Sequence, residues 1–211
     1  MRTISCFVLF FLFLTACSRS VFKERWLKKK APEHFSVRVE TSKGNFEAAF
    51  TRQWSPKALD RLYAQFRHGY YNHTLFYRVR PGYVVQFGGD DNARIKQWGH
   101  TKVPDEPVIK PNTRGAISFA RSTKDSRGND LFINLVNNSP RLDTITFNGV
   151  TGFPVLGMVI SGMETVDALY NGYSDNVFQF YDTLLINKNK FLEKFPKLDS
   201  IKKVVLIRTK K

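Results

Sequence analysis

Two side chains within one short stretch carry the chemistry this chain can offer. Residues 76–89 read Phe-Tyr-Arg-Val-Arg-Pro-Gly-Tyr-Val-Val-Gln-Phe-Gly-Gly, which sets Arg78 and Gln86 among aromatic and aliphatic neighbours. A guanidinium is always charged and presents its donors in a fixed planar fork. Once buried it needs acceptors, and Gln86 offers one. The stretch alone leaves two placements open. Arg78 is either buried against Gln86 or exposed on the polar face of a strand, the commoner place for arginine. Competing chemistries find no pattern. Gly-x-Ser-x-Gly, P-loop and Gly-x-Gly-x-x-Gly sequences are absent. His34, His68, His73 and His100 lack a metal-binding spacing. No metal or cofactor is expected.

The elements that must position these groups follow from periodicity and turn chemistry. Leu75–Val79 and Tyr83–Phe87 flank Arg80-Pro81-Gly82, a strand, a turn and a second strand. Upstream, residues 37–41 alternate as a strand. After a turn at Ser42-Lys43-Gly44, Phe46, Ala48 and Phe50 mark another. Ser55-Pro56 predicts a helix start, with serine as cap and proline at the first position. Leu59, Leu62, Tyr63 and Phe66 then form one apolar stripe ending near Gly69. Residues 90–114 read as a long surface loop. Strands follow at 116–120, 131–135 and 154–160, separated by polar loops. Ser161-Gly-Met-Glu164 reads as a capping box opening a second helix, closed by Gly172. Residues 173–190 look irregular, residues 191–195 suit a short helix, and residues 204–207 a last strand. About eight strands and two principal helices predict a mainly β fold, a closed eight-stranded antiparallel barrel capped by two α-helices. Side chains fill a barrel of that size, so a ligand would bind outside its wall.

The order of these pieces resembles the cyclophilins, peptidyl-prolyl isomerases built on such a barrel. The resemblance is carried by residues 76–90, by Asn112-Thr-Arg-Gly-Ala-Ile-Ser-Phe-Ala120, by Leu131-Phe-Ile-Asn134 and by residues 153–167. It covers about residues 35–173. It implies that Arg78 is the catalytic arginine and Gln86 the glutamine beside it. Tyr83, Val84, Phe132 and Leu142 fall where the family forms its proline pocket. Ala120 and Arg121 match the strand end that pairs with the substrate backbone. Asp130 stands where a glutamine is expected, Phe153 where a histidine is frequent at the pocket rim, and Arg141 where a pocket-edge aromatic is usual.

What the resemblance implies is isomerisation of X-Pro bonds in proline-containing polypeptides. Amide rotation faces a barrier of about 18–20 kcal/mol, and twisting the bond localises a lone pair on the proline nitrogen. A donor aimed at that nitrogen stabilises the twisted state more than the planar one. Arg78 would supply it, and the apolar pocket would grip the ring. The alternative is a binding module or holdase that recognises proline segments without turnover. Asp130 motivates it, since a carboxylate near Arg78 could pair with it and withhold it.

The ends of the chain speak of export. Ile4 to Leu14 is almost purely apolar but short for a membrane span, and fits the core of a secretory signal over residues 1–16. Leu14-Thr-Ala-Cys17 resembles a bacterial lipobox, which implies lipid on Cys17; an ordinary signal with an incidental cysteine is the alternative. Ser18 resembles an outer-membrane sorting signal, so the expected location is the cell envelope, facing the periplasm in a Gram-negative cell. With Cys6 removed and Cys17 lipidated, no disulfide is left in the domain. Residues 17–34 read as a basic tether, either against anionic lipid or merely solvated. Residues 35–211 make up the domain, with a basic C-terminal extension. The net charge of +15 would suggest nucleic acid in the cytosol. Export turns that expectation towards acidic lipids or polymers, with no nucleic-acid partner and a monomeric chain.

Overall fold

The computed structural model describes residues 22–90 and 97–210, with side chains described as far as residue 207. β1 (His34–Thr41) and β2 (Gly44–Thr51) form a hairpin in which Phe35, Val37 and Val39 share the buried face with Phe46, Ala48 and Phe50. α1 (Pro56–Arg67) follows, then β3 (Arg78–Val79), β4 (Val84–Phe87), β5 (Ala116–Phe119) and β6 (Leu131–Asn134). A four-residue helix, α2 (Arg141–Thr144), precedes a small separate hairpin of β7 (Thr146–Phe147) and β8 (Val150–Thr151). β9 (Val155–Ser161), α3 (Met163–Asp167), α4 (Tyr181–Ile186), α5 (Lys188–Lys194) and β10 (Ile201–Lys210) complete the order.

Eight strands form one antiparallel sheet in the order β10-β1-β2-β9-β5-β6-β4-β3. The sheet curls but does not close, which corrects the expected closed barrel. Its end strands are unequal: β3 has 2 residues and β10 has 10. A two-residue strand cannot run a ladder along such a partner. Instead the chain just before β3 meets the start of β10 and the residues ahead of it, through one isolated bridge, Leu75 to Ser200, and hydrogen bonds from Phe76 N to Asp199 O, from His73 N to Ile201 O and from Ile201 N to Thr74 O.

The core lies between the sheet and α1. Leu59, Leu62, Tyr63 and Phe66 are buried as the stripe predicts, and Phe35 meets the Phe50 and Tyr63 rings at 5.0 Å each. Ser55 does not cap α1 with its own oxygen. Its hydroxyl instead donates to Glu106, whose carboxylate accepts from the Lys57 and Ala58 amides at 2.8 and 3.1 Å. A side chain from the long loop thus does the capping. The capping box at Ser161 also does not form. Ser161 is still the last residue of β9, and Gly162 takes the cap position at φ 78°. A Cβ at Gly162 would stand 2.5 Å from Asn45 O, so both the angle and the space require glycine. α3 ends at Asp167, well short of Gly172.

Residues 173–190, expected to be irregular, are largely helical: a 3-10 segment (Ser174–Phe180) leads into α4 and α5. Val177, Leu184, Phe191 and Phe195 bury themselves against Leu75 and Tyr77 as a second apolar cluster. The expected basic tether is docked from Phe22 on. Trp26 stacks on His68 at 3.6 Å, Phe22 packs edge-on to Trp98 at 5.1 Å, and the Ala31 amide donates to Asp60. The signal segment and Cys17 lie outside the described residues. Among the described residues no helix is long and apolar enough to cross a membrane.

Candidate functional site

The pleat sorts the residues of the site from those of the core. Successive side chains on a strand point to opposite faces. Val79, Val85, Phe87, Leu131 and Ile133 go to the main core. Their neighbours Arg78, Val84, Gln86 and Phe132 therefore share the other face. Register aligns them into a row, because Arg78 sits opposite Gln86, Gln86 opposite Phe132, and Phe132 opposite Ser118. The row lines a cavity of about 490 Å³ on the outer wall of the sheet. The residues expected at the catalytic and substrate-binding positions line it: Arg78 and Gln86; Tyr83, Val84, Phe132, Leu142 and Phe153; Ala120, Arg121 and Asp130.

The buried placement of Arg78 is the one realised, at 9% exposure. Its Nη1 donates to Gln86 Oε1 at 3.1 Å across the hairpin. Its Nε donates to Asp175 Oδ1 at 2.7 Å. The Phe178 ring lies 4.4 Å from the guanidinium carbon and the Tyr83 ring 5.6 Å. Beside the arginine, Val84, Phe132 and Leu142 are buried together, with Tyr83, Ala120 and Phe153 packed against them. Phe132 and Phe153 meet edge to face at 5.5 Å. The result is an apolar slot next to a fixed cation. Tyr83 at its edge carries Arg80 and Arg141 as well, at 5.2 and 4.9 Å from the ring.

Arg121 turns its guanidinium to the β7–β8 hairpin, donating to the carbonyls of Phe147, Val150 and Gly152 and lying 4.7 Å from the Phe153 ring. The Ala120 amide donates to Asp130 O within the fold, so that donor is not open to a ligand. Asp130 does not pair with Arg78. Its Oδ2 accepts from Tyr77 at 3.0 Å and from Tyr181, and its Oδ1 is shielded with no hydrogen-bond partner among the described residues. Burial raises this carboxyl to about 6, against a smaller opposing effect of the two phenols. The same burial, with the Asp130 charge nearby, pushes the Tyr77 and Tyr181 phenols up.

Sequence reasoning missed one whole wall. Asp175, Phe178, Tyr181 and Leu185 come from the segment expected to be irregular, and Tyr77 precedes Arg78 in the chain. A signal was present in the aromatic concentration Tyr173, Phe178, Phe180 and Tyr181, but no periodicity tied it to the hairpin. Among the described residues no cluster of His, Cys, Asp or Glu could hold a metal ion.

Comparison with known proteins gives the family. The family model described as cyclophilin type peptidyl-prolyl cis-trans isomerase/CLD matches residues 36–190. The chain is 34% identical over 171 residues to peptidyl-prolyl cis-trans isomerase A of Dickeya dadantii, covering 75% of this chain and 85% of that one. It is 30% identical over 141 residues to a peptidyl-prolyl cis-trans isomerase of Acinetobacter baylyi, covering 64% and 71%. A crystal structure of a Cryptosporidium parvum cyclophilin type isomerase superposes with a TM-score of 0.59 at 22% identity, over 84% of this chain and 99% of that one; it speaks for the fold alone.

Proposed function

The chain belongs to the cyclophilin-type peptidyl-prolyl cis-trans isomerase family, and from that premise we propose that Arg78 is the group that eases the twist of the prolyl amide. The observation that carries this is the clamped guanidinium beside the apolar slot. Two of its nitrogens are held by Gln86 and Asp175. Nη2 has no partner among the described residues, on a side chain that lines the cavity. A proline ring seated on Phe132, Val84 and Leu142 would bring its nitrogen next to that donor. The donor gains most when the lone pair is localised, so it favours the twisted state. A related Cryptosporidium parvum isomerase has been solved in the presence of the dipeptide Ala-Pro, and a ligand of that size suits a cavity of about 490 Å³.

The test is an isomerisation assay without a coupling protease, on a short X-Pro peptide. Arg78→Ala should lose about a hundredfold in kcat/KM, the usual effect of removing one preorganised donor, while its circular dichroism spectrum stays native. An unaltered rate in the folded variant overturns the role of Arg78. The contrary reading, a binding module without turnover, was motivated by Asp130, and that carboxylate is held by two phenols rather than by Arg78; binding without acceleration in the same assay would favour it.

We further propose that the enzyme acts on exported polypeptides as a monomer in the cell envelope, anchored by lipid on Cys17 on the periplasmic face of the outer membrane. The apolar segment before Leu14-Thr-Ala-Cys17, Ser18 after it, and the basic residues that follow support this. Cys17→Ala should abolish acyl labelling and release the protein from the membrane fraction. Labelling that persists in the variant overturns the anchor.

A further inference from the structure

Arg78 is held by two partners of different origin. Gln86 comes from the facing strand and was legible in the hairpin. Asp175 comes from the 3-10 segment far along the chain and holds Nε at 2.7 Å. The other oxygen of the same carboxylate lies 3.2 Å from Arg80 Nη1. Asp175 thus sits between two arginines of one hairpin, offsets their repulsion and fixes the rotation of the buried one. Phe178, one turn further on, lies over the guanidinium at 4.4 Å. With Nε and Nη1 engaged and the Phe178 ring beside the plane, the fork has little freedom left. The nitrogen without a protein partner is Nη2.

We propose that Asp175 is a positioning residue for isomerisation, acting through Arg78 rather than on the substrate, and that the segment Ser174–Phe180 is therefore part of the catalytic apparatus. This rests on the reading of Arg78 given above. Preorganised donors stabilise charge that develops in a transition state because they need no reorientation when it forms. Misplacement by about 1 Å can cost on the order of a hundredfold in rate. Releasing Nε would let the guanidinium swing about its stem, so the loss should fall on turnover and spare binding in the apolar slot. A carboxylate this near an arginine could instead act as a quencher, and the two roles predict opposite signs.

The experiment is steady-state isomerisation by the full chain, comparing wild type, Asp175→Ala, Asp175→Asn, Asp175→Glu, Gln86→Ala and the double variant Asp175→Ala/Gln86→Ala. The expected result is a fall in kcat of about tenfold or more for Asp175→Ala, with KM within about twofold and an unchanged melting temperature. Asp175→Asn keeps an acceptor for Nε and should lose less; Asp175→Glu should recover part of the rate, since the carboxylate is half-exposed and has room to adjust. Asp175 and Gln86 hold the same group, so their effects should be non-additive. A role in folding alone would add independently and would lower the melting temperature. Unchanged or faster turnover in a folded Asp175→Ala or Asp175→Asn overturns the proposal, as does a change confined to KM. An inactive wild type would instead sink the reading of Arg78 itself, which keeps the two failures apart.

Discussion

In the role proposed for it, Arg78 would act as a fork rather than as a bare charge. Lysine keeps the charge but offers a point donor on a flexible stem, which cannot hold Gln86 and Asp175 and still present a third nitrogen. Arg78→Lys is therefore expected to lose nearly as much kcat/KM as Arg78→Ala, about a hundredfold, in the same assay. A lysine variant near wild type would mean that charge alone suffices. Asp130 has a different signature. Its folded value of about 6 lies above the ordinary 3.8, so between those values the folded chain holds more protons than the unfolded one. Its contribution to stability is full below about pH 4 and is lost as pH rises through about 6. Asp130→Asn is neutral throughout. Its stability relative to wild type should therefore rise between pH 4 and pH 7, by up to about 3 kcal/mol at about 1.4 kcal/mol per pKa unit. Urea melts at the two pH values measure this, and a pH-independent difference would contradict the burial of that charge. At this scale the sequence was informative where partners are local. Arg78 and Gln86 share a hairpin, so Gln86 could be offered as the partner of a buried Arg78, and the structure makes that contact. Asp175 lies 97 residues from Arg78, and no local pattern encodes such a pair.

Among the elements, strands with one face buried were the easiest to read. β1 and β2 alternate, and their apolar face goes to the core as the pattern requires, whereas β4 and β6 are largely buried on both faces, one turned to the core and one to the site. Helix caps were read less well than helix starts, because a cap can come from anywhere in the fold: α1 begins at Pro56 as expected. Ser55 looked sufficient at α1, yet Glu106 satisfies the first amides. Glu106 is also paired with Arg127, whose side chain is 1% exposed. Removing the carboxylate leaves both the helix end and a buried cation short of a partner. Glu106→Ala is expected to cost about 3 kcal/mol, above the roughly 1 kcal/mol of a simple cap. Glu106→Gln, which keeps one acceptor, should cost less. Chemical denaturation of the two variants ranks them, and equal small losses would reduce Glu106 to an ordinary surface residue.

For the whole molecule, the two ends of the chain complete the domain more than their composition suggests. Both are rich in lysine and arginine, and charge runs usually read as solvated. The apolar residues between those charges decide otherwise. At the C-terminal end, Phe191, Phe195 and Ile201 are buried, and β10 pairs along β1. At the N-terminal end, Phe22, Trp26 and Leu27 pack against the main core. Four residues lie between Cys17 and Phe22, and the five steps along the chain reach at most about 18 Å when extended. A lipid on Cys17 would then hold the domain close to the membrane surface instead of on a long leash. The docking itself is testable without the lipid. A chain beginning at residue 32 loses the Trp26–His68 stack, the Phe22–Trp98 contact and the Ala31–Asp60 hydrogen bond. Losses of about 2–3 kcal/mol correspond to a melting temperature lower by about 5–10 °C in a domain of this size, relative to a chain beginning at residue 20. Trp26→Ala in the longer chain should reproduce part of that drop. Superimposable thermal melts of the two chains would show that the segment rests on the surface without supporting it, and the domain would then begin at β1.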